Sequence, residues 1–224
     1  MKNYAKYFLL LMLISSCKKE LQSNKNEKSS EMIDFTISKI EEENFDIADI
    51  DYSFKSGTIE NFDIEGKSID LYWIDKDRDT ILKFYRRYDK NGNLIGARYY
   101  EEGDIKPSRD TVYINAEGHK VEASLNGDGK VIWKMTIFTD DNDNPVLKRY
   151  ENGKGDYRGL DSLFFDDNGR VIKGFYENSK GRRYSIKTYN YLESDKAGNW
   201  IERMMYVNDT LKQRQLRRIT YYDK

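Results

Sequence analysis

The chain is 224 residues long, 34% of them charged, with a formal net charge of −1 and a mean hydropathy of −0.87. A balance this close to neutral removes electrostatic capture of nucleic acid as a leading role. One cysteine and one histidine exclude an internal disulfide and a metal centre built on two or three histidines.

The chain opens MKNYAKYFLLLMLISSCKKE. Lys2 and Lys6 form a basic flank, and Tyr7 to Ile14 an apolar run. That run is too short to cross a hydrocarbon core of roughly 30 Å as a helix, so it reads as a signal segment and not a permanent span. Small residues then lead into the sole cysteine. Ile14-Ser15-Ser16-Cys17 resembles the lipobox of bacterial lipoproteins. The resemblance implies cleavage after residue 16 and diacylglycerol on the Cys17 thiol. Lys18 stands where many Gram-negative lipoproteins retained at the inner membrane carry aspartate, so the expected address is the outer membrane of the cell envelope. Without Lys2 and Lys6, 36 bases face 39 acids, a net charge of −3.

Residues 17–31 have one aliphatic side chain and no aromatic, the composition of a flexible tether. Residues 32–60 are ambiguous. Ile33, Phe35 and Ile37 alternate as in a strand, while Ile33, Ile37 and Ile40 fit one face of a helix. The expectation is a lead-in or cap.

Residues 61–224 repeat. Gly66, Gly92, Gly118, Asp143, Gly169 and Gly198 end similar turn phrases at intervals of 26, 26, 25, 26 and 29 residues. A second turn signal follows each, at Asp77, Gly103, Gly129, Gly153, Gly181 and Asn208 with Asp209. Asp89-Lys90-Asn91-Gly92 and Asp166-Asp167-Asn168-Gly169 begin with a carboxylate that can accept turn amides and end with a residue tolerant of positive φ. That chemistry suits a type I turn closed by a left-handed residue. Strand patterns flank the turns: Val131, Trp133, Met135 and Ile137 alternate with Ile132, Lys134, Thr136 and Phe138, and Val171, Lys173 and Phe175 alternate with Ile172, Gly174 and Tyr176. The predicted fold is all-β: an antiparallel meander of about six two-strand hairpin repeats. A sheet of about twelve strands must curl to hide one face, giving a half-barrel or roll with its apolar side inward.

YDKNGNLI, FFDDNGRVI and SDKAGNWIERMMY resemble YD repeats and the MORN-variant repeats of bacterial antitoxin-like and lipoprotein sequences. The resemblance implies a β-repeat scaffold and no particular activity. NAEGHKV and DDNDNPV depart from it by lacking the tyrosine–aspartate pair.

Candidate chemical sites are few. Asp140, Asn142, Asn144 and Glu151 fall at positions 1, 3, 5 and 12 of an EF-hand-like calcium loop, but Pro145 occupies the position where that loop needs glycine. His119 sits in a turn phrase, where an exposed polar residue is expected. No phosphate loop, dinucleotide fingerprint or nucleophile elbow is present. The reading is therefore a lipid-anchored envelope lipoprotein whose repeat sheet binds a protein or glycan, with no catalytic residue, cofactor or nucleic-acid partner. The alternatives are an immunity or antitoxin-like protein that neutralises a toxin, and a polysaccharide hydrolase.

Overall fold

The structure, a computed structural model, describes residues 36–48, 51–101, 108–126 and 128–223. The leader, with Ile14, Ser15, Ser16 and Cys17, and the tether lie outside the described residues. Fourteen strands follow in order: β1 (Ile37–Ala48), β2 (Asp51–Phe62), β3 (Ser68–Ile74), β4 (Thr80–Tyr88), β5 (Leu94–Glu101), β6 (Ser108–Ile114) and β7 (Lys120–Leu125), then β8 (Val131–Thr139), β9 (Pro145–Asn152), β10 (Tyr157–Phe165), β11 (Val171–Asn178), β12 (Arg183–Ser194), β13 (Trp200–Val207) and β14 (Thr210–Tyr221). Each pairs antiparallel with its sequence neighbours, and β1 also pairs with β14. The meander is a closed up-and-down barrel.

The sheet thus goes further than the expected curl of about twelve strands. The added pair, β1 and β2, comes from the segment expected to be a lead-in or cap. β1 runs alongside β14 from Ile37 opposite Tyr221 to Asp46 opposite Gln213. Closure satisfies the backbone groups that two open edges would leave unpaired.

Ten of the hairpins share one turn. Its first residue is Asp or Asn, whose side-chain oxygen accepts the backbone N–H groups two and four residues on. Asp89 Oδ1, for example, accepts from Asn91 at 2.9 Å and Asn93 at 2.8 Å. The N–H of Gly92 donates to the Asp89 carbonyl at 3.0 Å, and that of Asp89 to the Asn93 carbonyl at 2.9 Å. This is a type I turn closed by a left-handed residue in the fourth position. Gly66, Gly92, Gly118, Asp143, Gly169 and Gly198 all fill that position, with φ between 62° and 87°. They cap one end of the barrel. At the other end the position falls to Arg78, Gly129, Gly155 and Gly181, so Asp77 and Gly153 lie within their turns without being the left-handed residue. Asn208 and Asp209, both at positive φ, form the two-residue turn joining β13 to β14. Gly103 lies outside the described residues.

Alternation sends one side chain inward and the next outward along each strand, and bulges reset it. Trp133, Met135 and Ile137 of β8 follow the predicted phase inward, and Met135 and Ile137 pack with Tyr150. Leu71, Trp73 and Leu82 form a second apolar cluster between β3 and β4. On β11 a register shift beside Ile172 breaks the expected alternation, so Val171 and Gly174 are buried while Lys173 is exposed and Phe175 lies on its side of the sheet. The inside is also not the uniformly apolar face expected. Glu42, Asn44, Glu60, Lys148, Asp161, Arg203 and Gln215 are all buried. Polar residues share the interior with apolar ones, and many of them bond to one another across strands.

Candidate functional site

The buried polar residues are stitched along the wall, between strands one or two apart. Tyr191, Arg203, Gln215 and Asn44 are direct cross-strand neighbours on β12, β13, β14 and β1. Arg203 Nε donates to Gln215 Oε1 at 2.6 Å, and Gln215 Nε2 to Asn44 Oδ1 at 2.6 Å. Arg203 Nη1 donates to Tyr191 Oη at 3.2 Å, and that hydroxyl donates to the Val171 carbonyl at 2.9 Å. Beside this relay, Arg217 Nε meets Glu42 Oε2 at 2.9 Å. The Trp200 ring carries the Arg217 guanidinium carbon 3.7 Å from its centroid and that of Arg203 at 4.0 Å, both within cation–π range. Arg86 bridges Glu60 at 3.1 Å and Ser68 at 2.8 Å. Burial raises the Glu60 carboxyl above its ordinary range, against the pull of Arg86.

A third group lies on β9 and β10. Asp161 faces Lys148 across the ladder and accepts the Tyr150 hydroxyl. Burial pushes the Asp161 carboxyl up to about 6, opposed by the Tyr150 hydrogen bond and the charges of Lys148 and Lys187. The same burial lowers both amines, Lys187 to about 8. Asp110 on β6 is likewise raised to about 6 by burial, beside the Tyr99–Ser124 hydroxyl contact of 2.8 Å. Glu42, Glu60 and Asp161 each face a cation, so these acids are occupied in holding the wall together.

The residues singled out for calcium do not converge. Asp140 Oδ1 accepts the turn amides of Asn142 and Asn144, and its Oδ2 accepts the Asn144 side-chain amide at 3.0 Å. Glu151 lies far along β9, paired with Lys134 at 3.2 Å and Arg149 at 3.3 Å. Among the described residues no group of three or more His, Cys, Asp or Glu side chains is placed to hold a metal ion. The His119 ring packs on Phe138, centroids 4.4 Å apart.

The outer wall carries charge on most strands, including Glu41, Glu43, Lys83, Arg98, Lys134, Arg149, Lys173, Arg214 and Arg218. Many of these are paired, as in Arg214–Glu202 at 2.9 Å and Lys134–Glu151. Two faces depart from this pattern. On β10 to β12, Phe164, Ile172, Ile186 and Leu192 are 47%, 41%, 37% and 48% exposed. Phe175 lies between them, its ring 6.1 Å from that of Phe164, with the Arg183 guanidinium 4.5 Å from its centroid. Ile172, Ile186 and Leu192 all sit at register shifts, where an extra residue turns an aliphatic side chain outward. Ser185, with φ of 48°, marks the bulge of β12, whose Ile186 amide is held by Asn208 Oδ1 at 3.2 Å.

The second face spans β4 to β6. Tyr85 stands opposite Arg98, Lys83 opposite Tyr100, and Arg98 opposite Arg109. Lys83, Arg87, Arg98 and Arg109 are exposed, and the rings of Tyr85 and Tyr100 meet edge to face at 6.0 Å. The centre of this face, β5, is six strands from β11, the centre of the first, in a ring of fourteen, so the two faces look in nearly opposite directions. Other tyrosines serve the frame: the hydroxyls of Tyr88 and Tyr222 donate to the carbonyls of Ser68 and Phe62, each at 2.7 Å.

Nothing in the sequence pattern showed which strands carry exposed tyrosine and arginine. The β10–β12 face was hidden because bulges, invisible in a one-dimensional pattern, decide which aliphatic residues turn out.

No protein-family model matches the chain, and no curated protein matches it. Among solved structures, a protein described as porin-like from Bacteroides uniformis is 12% identical, with a TM-score of 0.46 over 84% of this chain and 98% of that one. A domain described as an outer membrane lipoprotein-sorting protein domain from Vibrio parahaemolyticus is 11% identical, with a TM-score of 0.37 over 82% of this chain and 85% of that one.

Proposed function

We propose that the chain is a lipid-anchored envelope protein whose barrel is a binding module, presenting the β10–β12 face to a protein partner. The carrying observation is the cluster of exposed Phe164, Ile172, Ile186 and Leu192 around Phe175. Exposed apolar side chains gathered on three adjacent strands, with Lys173 beside Phe164, mark a surface that gains by being covered. The anchor rests on the lipobox-like residues Ile14 to Cys17.

The barrel itself belongs in water. A lysine or arginine facing lipid at mid-depth costs about 2–4 kcal/mol, and the outer wall presents such residues on strand after strand. A stitched interior supports the same role, since it holds the wall in one shape and leaves recognition to the outside.

The test is capture from native envelopes with the wild type and a Phe164→Ser, Ile186→Ser, Leu192→Ser variant. Retention of a defined partner by the wild type and its loss from the variant supports the reading. Equal retention by both sinks it. Labelling with a lipid precursor checks the anchor separately: the wild type is expected to incorporate it and Cys17→Ser is not, and equal labelling of both rules out acylation at that thiol.

A further inference from the structure

The opposite face poses a different question. Arg98 and Arg109 stand directly across a ladder from each other, an arrangement that destabilises a sheet. Lys83 and Arg87 flank them on β4. None of the four cations has an ion-pair partner among the described residues. Elsewhere the chain relieves such crowding: Glu193 and Glu202 are also directly opposed, and Arg214 pairs with Glu202 at 2.9 Å. A cluster of like charges with no ion pair among the described residues is suited to receive a counter-charge from outside.

We propose that the β4–β6 face lies against an anionic lipid surface. The wall of a barrel is convex, so it gives a small anion no enclosure but meets a plane of headgroups along a stripe. Arginine and lysine supply the attraction to anionic headgroups, and tyrosine is a side chain favoured at that depth, apolar ring inward and hydroxyl in water. Tyr85 and Tyr100 stand among the cations in that role. Reach is sufficient: the twenty residues from Cys17 to Ile37 span at most roughly 70 Å, so an anchored barrel can lie on its side. The β10–β12 face then points away from the membrane, towards water and any partner. The docking goes beyond the binding role proposed above and does not depend on it.

The experiment uses the chain from residue 17 onward carrying Cys17→Ser, so that neither an acyl chain nor the apolar leader contributes, in co-sedimentation with vesicles of phosphatidylcholine alone or with phosphatidylglycerol added. Binding is expected only to the anionic vesicles and is expected to weaken with salt. Each lost charge weakens it about fivefold, so Arg98→Gln with Arg109→Gln lowers affinity roughly 25-fold. That variant also removes a repulsion, so its melting temperature should stay level or rise, which separates lost docking from lost folding. Lys173→Gln with Lys212→Gln, two exposed cations on β11 and β14, is expected to leave binding unchanged. Equal loss in both double variants, indifference to phosphatidylglycerol, or binding to dextran sulfate without binding to vesicles each overturns the proposal. The assay contains no protein partner, so its failure leaves the β10–β12 reading standing, and failed capture from envelopes leaves this one standing.

Discussion

Replacing Asp161 by asparagine tests whether the interior is as tightly closed as its geometry indicates. The Asp161 carboxyl titrates near 6 in the folded protein because it is buried, against an ordinary value of 3.8. The folded state therefore holds a proton that the unfolded chain releases, and stability falls as pH rises through that window. The difference of about two pKa steps corresponds to roughly 3 kcal/mol, lost in full above pH 6. Asparagine cannot ionise, yet its carbonyl can still accept the Tyr150 hydroxyl. Any fixed penalty of the substitution is the same at every pH and cancels. Urea unfolding of both proteins between about pH 4 and about pH 7 should show the variant gaining roughly 2.5 kcal/mol on the wild type across the range. Lys187, held near 8, stays protonated over most of this interval, so it adds little to the slope. A difference that is flat with pH would mean that water reaches Asp161, and the packed interior would have to be abandoned.

Three further outcomes follow from the frame. Gly118→Ala should cost about 1 kcal/mol in chemical denaturation, because φ is 87° and a Cβ there meets nothing within 4 Å, leaving backbone strain as the whole effect. A loss above roughly 3 kcal/mol would show a packing role the turn lacks. Arg203→Ala should cost about 3–5 kcal/mol by thermal or urea unfolding, since it strands Gln215 and strips a cation from Trp200. A cost below 1 kcal/mol would refute the relay. Lys187, held near 8 by burial, should make the protein more stable as pH rises from about 8 towards about 10.5, and Lys187→Met should reduce that rise, leaving the share of Lys148.

Much of the architecture was readable because turns obey local rules. Asp89, Asp166 and their equivalents announce themselves through an oxygen that must accept two amides, and Gly66 to Gly198 through a dihedral that few residues tolerate. Closure was not readable, since it depends on β1 meeting β14 across the whole length of the chain. β1 disguised itself further: Ile40, Glu42 and Asn44 face inward while Glu41 and Glu43 face outward, so hydropathy shows no period of two. The two surfaces proposed for docking were illegible for a related reason. Arg98 and Arg109 become neighbours only when β5 and β6 pair, and Ile186 turns outward only because β12 bulges.

The seam between first and last strand has an arithmetic consequence. In an up-and-down ring the two terminal strands run in opposite directions only when the strand number is even. The chain can therefore lengthen or shorten by whole hairpins, as a 26-residue period permits, whereas losing a single strand would leave the ends running the same way with no antiparallel seam to form. Duplication in units of two is the path by which such a ring can change its girth and remain shut.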